Sequence, residues 1–184
     1  MKKIFLSTII FLSVQCKAQI YSLRTYGIEF PQNSYVKDTN NELPAYEGIW
    51  KGIWNNKTIF VTFKKITNEY DKDFEYYRDF LIAKFKVINS NGLVLFDNTL
   101  LPDSKAKILG GRFRKTDNKY SLIYIDPDLC SMSGNIYINF TDATQTKLNW
   151  KAVYGWDLLT ESCPYYDSPT FPEPLPYEII LIKQ

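Results

Sequence analysis

Segment after segment of this chain repeats its apolar residues at every second position, and that period admits little besides β-structure. In KLNWKAV, Leu148, Trp150 and Ala152 alternate with Asn149 and Lys151; in NIYINFT, Ile136, Ile138 and Phe140 alternate with Tyr137, Asn139 and Thr141. A period of two sends alternate side chains to opposite faces of a strand, so one face enters a core while the other meets water. TIFVTFKKI sets Ile59, Val61 and Phe63 against Phe60, Thr62 and Lys64, and DFLIAKFKVI sets Leu81, Ala83, Phe85 and Val87 against Lys84 and Lys86. Further strands are expected at Tyr46 to Trp54, Lys107 to Lys115, Tyr120 to Asp126 and Glu178 to Lys183. Turn residues sit between them: Asn55-Asn56, Asp117-Asn118, and Asn91-Gly92 just before LVLFD, where Asn and Gly tolerate the positive φ of a tight hairpin.

About eight or nine short strands with tight turns predict an all-β fold, an antiparallel up-and-down barrel, with a β-sandwich as the alternative. Asn68 to Asp79, NEYDKDFEYYRD, is ambiguous. Tyr70, Phe74, Tyr77 and Leu81 fit helical spacing, while the Tyr-rich end could extend the next strand. It is expected to be a long connection with one helical turn.

The chain opens with Lys2 and Lys3, an apolar run from Ile4 to Val14, and small Ala18 at a cleavage position. That is the layout of a secretory signal. The run is shorter than the roughly 20 residues of a spanning helix. Residues 1–18 are therefore read as a signal peptide, residues 19–45 as an irregular N-terminal arm, and residues 46–184 as one β-barrel domain. Lipidation at Cys16 is the minor alternative, and it places Gln15 where lipoprotein signals want a small side chain. Within the domain, Pro169, Pro172, Pro174 and Pro176 stiffen residues 164–177 into an extended strap over one end.

Export leaves Cys130 and Cys163, an even pair suited to a disulfide in an oxidising compartment, with a free reactive thiol as the other reading. The formal balance of +2 includes Lys2, Lys3 and Lys17, and residues 1–18 hold no acid, so the exported chain carries −1. That gives no electrostatic case for nucleic acid.

Histidine is absent. Ser-His-Asp and Cys-His catalysis and His-ligated metals are thereby excluded. Asp71, Asp73 and Glu75 have the spacing that begins a calcium loop, but the sixth and twelfth positions are Tyr76 and Ile82 where glycine and glutamate are needed. Ser104-Lys105-Ala106-Lys107 spells S-x-x-K without its companion segments. Asp126-Pro127-Asp128 reads as a turn, and Arg112, Arg114 and Lys115 around Phe113 suit either a phosphate or glycan contact or an ordinary solvent-facing strand. No cofactor, no metal and no transmembrane span is expected.

In YEGIWKGIW, Gly48, Trp50, Gly52 and Trp54 share one parity, so both indoles face one way with bare backbone between them. A tryptophan lying over a glycine packs flat on the sheet and suits the narrow end of a barrel. Here the chain resembles the lipocalin-like group, in which a G-x-W first strand plugs the barrel floor and the cavity takes small apolar ligands. It departs from that pattern in having no terminal arginine to stack on the floor tryptophan; Lys183 is the only cation there. Over its whole length the chain is also similar to an uncharacterised family of small exported proteins from Bacteroidota. The shared marks are CKAQ, ELPAYEGIWKGIWNNKTI, LFDNT, YSLIY-D-DLC and PEPLP.

The lipocalin resemblance implies a non-catalytic module binding a small apolar or amphipathic ligand. The abundance of aromatic residues, 14 Tyr and 12 Phe, would supply its lining. The candidate interior residues are Trp50, Trp54, Phe63, Phe85, Tyr124 and Trp150. The alternative is an envelope or secreted interaction protein with a packed, ligand-free barrel. A carboxylate-based glycan hydrolase, drawing on Asp71 to Glu75 and Asp126 to Asp128, is a third reading.

Overall fold

A computed structural model describes residues 19–155 and 160–184; the proposed signal and Cys16 lie outside the described residues. Eleven strands follow in chain order: β1 (Ile20–Ser22), β2 (Tyr35–Lys37), β3 (Gly48–Trp54), β4 (Lys57–Asp71), β5 (Tyr76–Asn89), β6 (Val94–Asp97), β7 (Ile108–Phe113), β8 (Tyr120–Asp126), β9 (Met132–Phe140), β10 (Lys147–Tyr154) and β11 (Glu178–Lys183). No α-helix occurs among the described residues; the non-strand elements are short 3-10 turns at Leu43–Tyr46, Asp103–Lys105 and Pro127–Leu129.

Eight strands run in the order β5-β4-β3-β11-β10-β9-β8-β7, and β7 returns to β5 through Ile82 opposite Leu109 and Ala83 opposite Ile108. Every neighbouring pair in that ring is antiparallel. The result is the closed up-and-down barrel that the alternation predicts, and closure removes the exposed edges of an open sheet. Side chains of one parity fill it. Trp50, Trp150, Tyr120, Tyr124, Phe63 and Phe85 are the largest fully buried ones, surrounded by Ile59, Leu81, Ile108, Leu122 and Ile136. The interior is apolar, the opposite of the water-filled lumen of a porin.

Three features differ from a plain meander. The first is β6, which pairs with β5 but stays outside the ring. Just after it, Asn98 both donates its backbone N–H to the Phe85 carbonyl and accepts the Phe85 N–H on Oδ1. The chain leaves the sheet there, and β7 takes up the adjoining stretch of the β5 edge.

The second is the segment expected to be a connection with a helical turn. It instead prolongs β4 to Asp71 and starts β5 at Tyr76, giving one long hairpin. A bulge between Ile66 and Glu69, with Asn68 at φ +53°, resets the parity of β4. The reset spoils the two-residue period and leaves an aromatic spacing that resembles a helix. Asp79 stabilises the bulge by accepting the Asn68 N–H at 3.0 Å.

The third is the arm, which carries β1 and β2. These add to the sheet in parallel, β1 on β2 and β2 on the first residues of β5.

Gly52 also differs from expectation. The atoms nearest to it are aliphatic: a Cβ there would come within 2.5 Å of Ile179 Cδ1 and 2.8 Å of Leu181 Cδ2. Its bare backbone makes room for the side chains of β11, which allows the last strand to close against β3.

Candidate functional site

The six interior candidates are placed as follows. Trp50, Phe63, Phe85, Tyr124 and Trp150 are buried in one continuous core, and Trp54 is half-buried against its edge. Phe85 meets Tyr124 edge-on at 6.2 Å between centroids. The Trp54 indole N–H is buried without a hydrogen-bond partner among the described residues, and Lys57 lies 5.3 Å from its ring. Of the six, Phe85 lines one of the described clefts, and the residues around that cleft are those of the strap-side rim.

Both barrel ends are covered by segments that the interior tryptophans grip. At one end the Trp50 indole donates to the Tyr46 carbonyl at 2.7 Å, holding the 3-10 turn of the arm across the opening. Lys183 supplies the cation over Trp50, 5.3 Å from the ring, and donates to the Ala45 carbonyl at 2.9 Å. A lysine on the last strand thus occupies the stacking place for which the lipocalin-like pattern calls for an arginine. At the other end the Trp150 indole donates to the Pro176 carbonyl at 3.0 Å, and Tyr154 donates to that of Leu175 at 3.1 Å. The strap therefore crosses this end. The Cys130–Cys163 disulfide joins the β8–β9 turn to the chain leading into it, with an S–S distance of 2.01 Å.

The arm end carries the richer polar chemistry. Asp38 is buried and accepts from Glu42 N–H at 2.8 Å, Leu43 N–H at 3.0 Å and Lys65 Nζ at 2.8 Å. Such a carboxylate offsets its desolvation by pairing and hydrogen bonding at once. Asp79, also buried, accepts from the Tyr35 hydroxyl and the Asp38 N–H. Burial, reinforced by Asp79, pushes the Tyr35 phenol well above its ordinary value.

Above this layer Arg24 forks onto Glu42, with Nε to Oε2 at 2.8 Å and Nη2 to Oε1 at 2.6 Å. Its Nη1 donates to Asn118 Oδ1, and its guanidinium lies 4.1 Å above Phe113. The bonded Glu42 carboxylate raises the Arg24 pKa, so the guanidinium stays charged. Tyr46 stacks on Phe140 at 4.3 Å and 25°, and burial pushes its phenol up to about 12. Together these groups bound a cleft of about 510 Å³.

The profile of a family of unknown function, DUF6705, matches residues 1–184. The chain belongs to that family. No curated protein and no solved structure matches it.

In this DUF6705 barrel three of the candidate acids, Asp71, Asp126 and Asp128, are ion-paired. Asp71 pairs with Arg78 at 2.8 Å and caps the β4–β5 turn through Asp73 N–H. Lys107 of the S-x-x-K tetrad is held by Asp126 and Asp128, and Asp126 also accepts from the Tyr124 hydroxyl at 2.8 Å. Arg112 lies over Phe30 and Arg114 over Tyr137, while Phe113 between them is buried under Arg24. Among the described residues no three His, Cys, Asp or Glu are grouped to hold a metal ion, and no helix is long and apolar enough to cross a membrane.

Sequence reasoning missed Arg24, Glu42, Asn118 and Phe140, which come from separate segments. One signal was present: asparagine at turn tips, where φ is positive, at Asn41 and Asn118.

Proposed function

We propose that the chain is an exported, non-catalytic, lipocalin-like protein whose barrel is packed shut. Its work is done on the outside, as a recognition or structural component of the envelope or the secreted fraction. The observation that carries this reading is the filling of the interior by Trp50, Trp150, Tyr120, Tyr124, Phe63 and Phe85, all buried within one continuous core. Interiors filled by large side chains approach crystal density, so a cargo would compete with these rings for the same space. An apolar ligand would have to displace those side chains.

The basic and apolar start, together with the Cys130–Cys163 disulfide, supports export. The ion-paired state of Asp71, Asp126 and Asp128 supports a non-catalytic role.

Native mass spectrometry of protein purified from its host without denaturation tests the packed barrel, with the bare mature mass expected. A co-purifying lipid, or quenching of tryptophan fluorescence by decanoate that saturates at one equivalent, would overturn it. N-terminal sequencing of the extracellular or envelope fraction should read from Gln19; a start at Met1 in the cytoplasm would defeat the export reading.

A further inference from the structure

We infer that the arm-end cleft is a binding site for a neutral, polyhydroxylated ligand, a short oligosaccharide. This rests on the reading that the barrel acts through its exterior, and it assigns that action a place and a chemistry.

The cleft volume of about 510 Å³ falls within the roughly 300–1,000 Å³ of small-molecule sites. Its walls come from the arm, the β7–β8 turn and the β9–β10 turn, which are far apart in sequence. Arg24 ties two of them together by reaching both Glu42 and Asn118. A cleft locked by its own ion pair loses little freedom on binding.

The lining decides the ligand class by elimination. The cation Arg24 is consumed by Glu42, and Asp117 is consumed by Arg114 at 3.1 Å. An anionic ligand therefore finds no free cation on Arg24, and a cationic one finds no free carboxylate on Glu42 or Asp117. A purely apolar ligand would strip water from Asn40, Asn41, Asn118, Asn139 and Gln145 without replacing its hydrogen bonds.

What remains free is uncharged and two-sided. The amides of Asn41 and Gln145, the Asn118 amide N–H groups and the Tyr46 hydroxyl make no side-chain hydrogen bond to a described residue. Amides offer a donor and an acceptor side by side, as sugar hydroxyls do. Phe140, half-buried and backed by Tyr46, adds an aromatic surface of the kind on which a sugar ring rests. Gln145 holds φ +56°, a conformation that glycine or asparagine would adopt more easily, so its long amide sits in the rim at a conformational cost.

The test is an NMR titration of the ¹⁵N-labelled mature protein with maltotriose, cellotriose, mannotriose and triacetylchitotriose. A sulfated trisaccharide and decanoate serve as charged and apolar comparators. At least one neutral trisaccharide is expected to shift the amides of Asn41, Asn118, Phe140 and Gln145 with a Kd of about 1 mM or tighter. The double variant Asn41→Gly/Gln145→Gly keeps both left-handed backbones and should melt at the wild-type temperature, while its Kd rises at least tenfold. Cleft amides that none of the four neutral sugars moves at about 10 mM would overturn the proposal, as would an unchanged Kd in the double variant. Tighter binding of the sulfated sugar or of decanoate at the cleft would overturn the ligand class. Decanoate shifting the Trp50 and Trp150 indole resonances would instead sink the packed-barrel reading, so the two failures are distinguishable.

Discussion

The two ends of the barrel are sealed by the same first device and then by opposite second ones. In each, an interior indole reaches out to a backbone carbonyl of the covering segment: Trp50 to Tyr46 and Trp150 to Pro176. Beyond that the arm end relies on a polar network around Asp38, Asp79 and the Arg24–Glu42 pair. The strap end relies on prolines, the buried Leu175 and a disulfide, with one ion pair from Lys57 to Glu173 at 3.4 Å. A polar lid exposes amides and charged pairs to solvent and shapes the larger cleft, about 510 Å³ against about 300 Å³ at the strap-side rim, whereas the strap is locked by covalent chemistry. With the proposed site at the arm end, the difference would put recognition there and covalent stability at the strap.

The comparison breaks most severely at the tryptophans. Trp50→Ala and Trp150→Ala each remove a fully buried indole and are expected to cost about 3–5 kcal/mol, read from urea midpoints. Limited proteolysis should distinguish them: Trp50→Ala opens the arm to cleavage between residues 24 and 45, and Trp150→Ala opens the strap. If Trp50→Ala leaves the arm protected, the indole is not what holds it.

Next in size is the disulfide. Its separation of 33 residues gives a loop whose closure stabilises the fold by about 2–4 kcal/mol, by denatured-chain entropy. Cys130→Ser/Cys163→Ser should raise hydrogen exchange through residues 160–177 and leave the arm unchanged. Equal loosening at both ends would show that the strap and the arm form one cooperative unit.

The strap end was the more legible of the two in the sequence. A pair of cysteines and a run of prolines are local statements, and β8 and β11 begin and end where their alternation does, at Tyr120–Asp126 and Glu178–Lys183. Asn55 and Asn56, at φ +43° and +58°, form the hairpin turn their residue types demand. The arm end was hidden for physical reasons. Parallel addition of β1 and β2 has no hairpin to announce it. The bulge at Asn68 breaks the period on which strand recognition depends. The cleft exists only because Arg24 meets Glu42, 18 residues on, and Asn118, 94 residues on, and no spacing rule connects such distant partners. Gly52 was visible as a close-approach residue, but that it makes room for Ile179 and Leu181 emerges only once β11 lies beside β3.

A gentler change isolates the shared device. Trp50→Phe and Trp150→Phe keep most of the apolar volume but leave the Tyr46 or Pro176 carbonyl without its donor, at about 1–3 kcal/mol each. Similar losses at the two ends would sharpen the parallel. A loss confined to Trp150→Phe would mean that the polar network alone secures the arm.

The smallest effect separates the ends by their tyrosines. Tyr46 is buried at the arm end with no hydrogen bond from its hydroxyl to a described residue, while Tyr154 at the strap end donates to Leu175. Burial raises both phenols, Tyr46 to about 12 and Tyr154 further still. The neutral phenol is the form that the fold buries, so in the unfolded chain the tyrosines ionise first, near 10. Tyr46 therefore contributes its full linked stability below a pH of about 10 and loses it as pH rises from about 10 to about 12. At a pH of about 11 the wild-type protein should have lost about 1 kcal/mol through Tyr46 that Tyr46→Phe does not lose. Urea midpoints at neutral and alkaline pH for wild type, Tyr46→Phe and Tyr154→Phe measure this directly. Both variants should resist alkali better than wild type, but only Tyr154→Phe should also be weaker at neutral pH, by about 1 kcal/mol for its lost bond to the strap. Equal neutral stabilities for the two variants would mean that the hydroxyl bond adds nothing, and that packing, Leu175 above all, is what holds the strap in place.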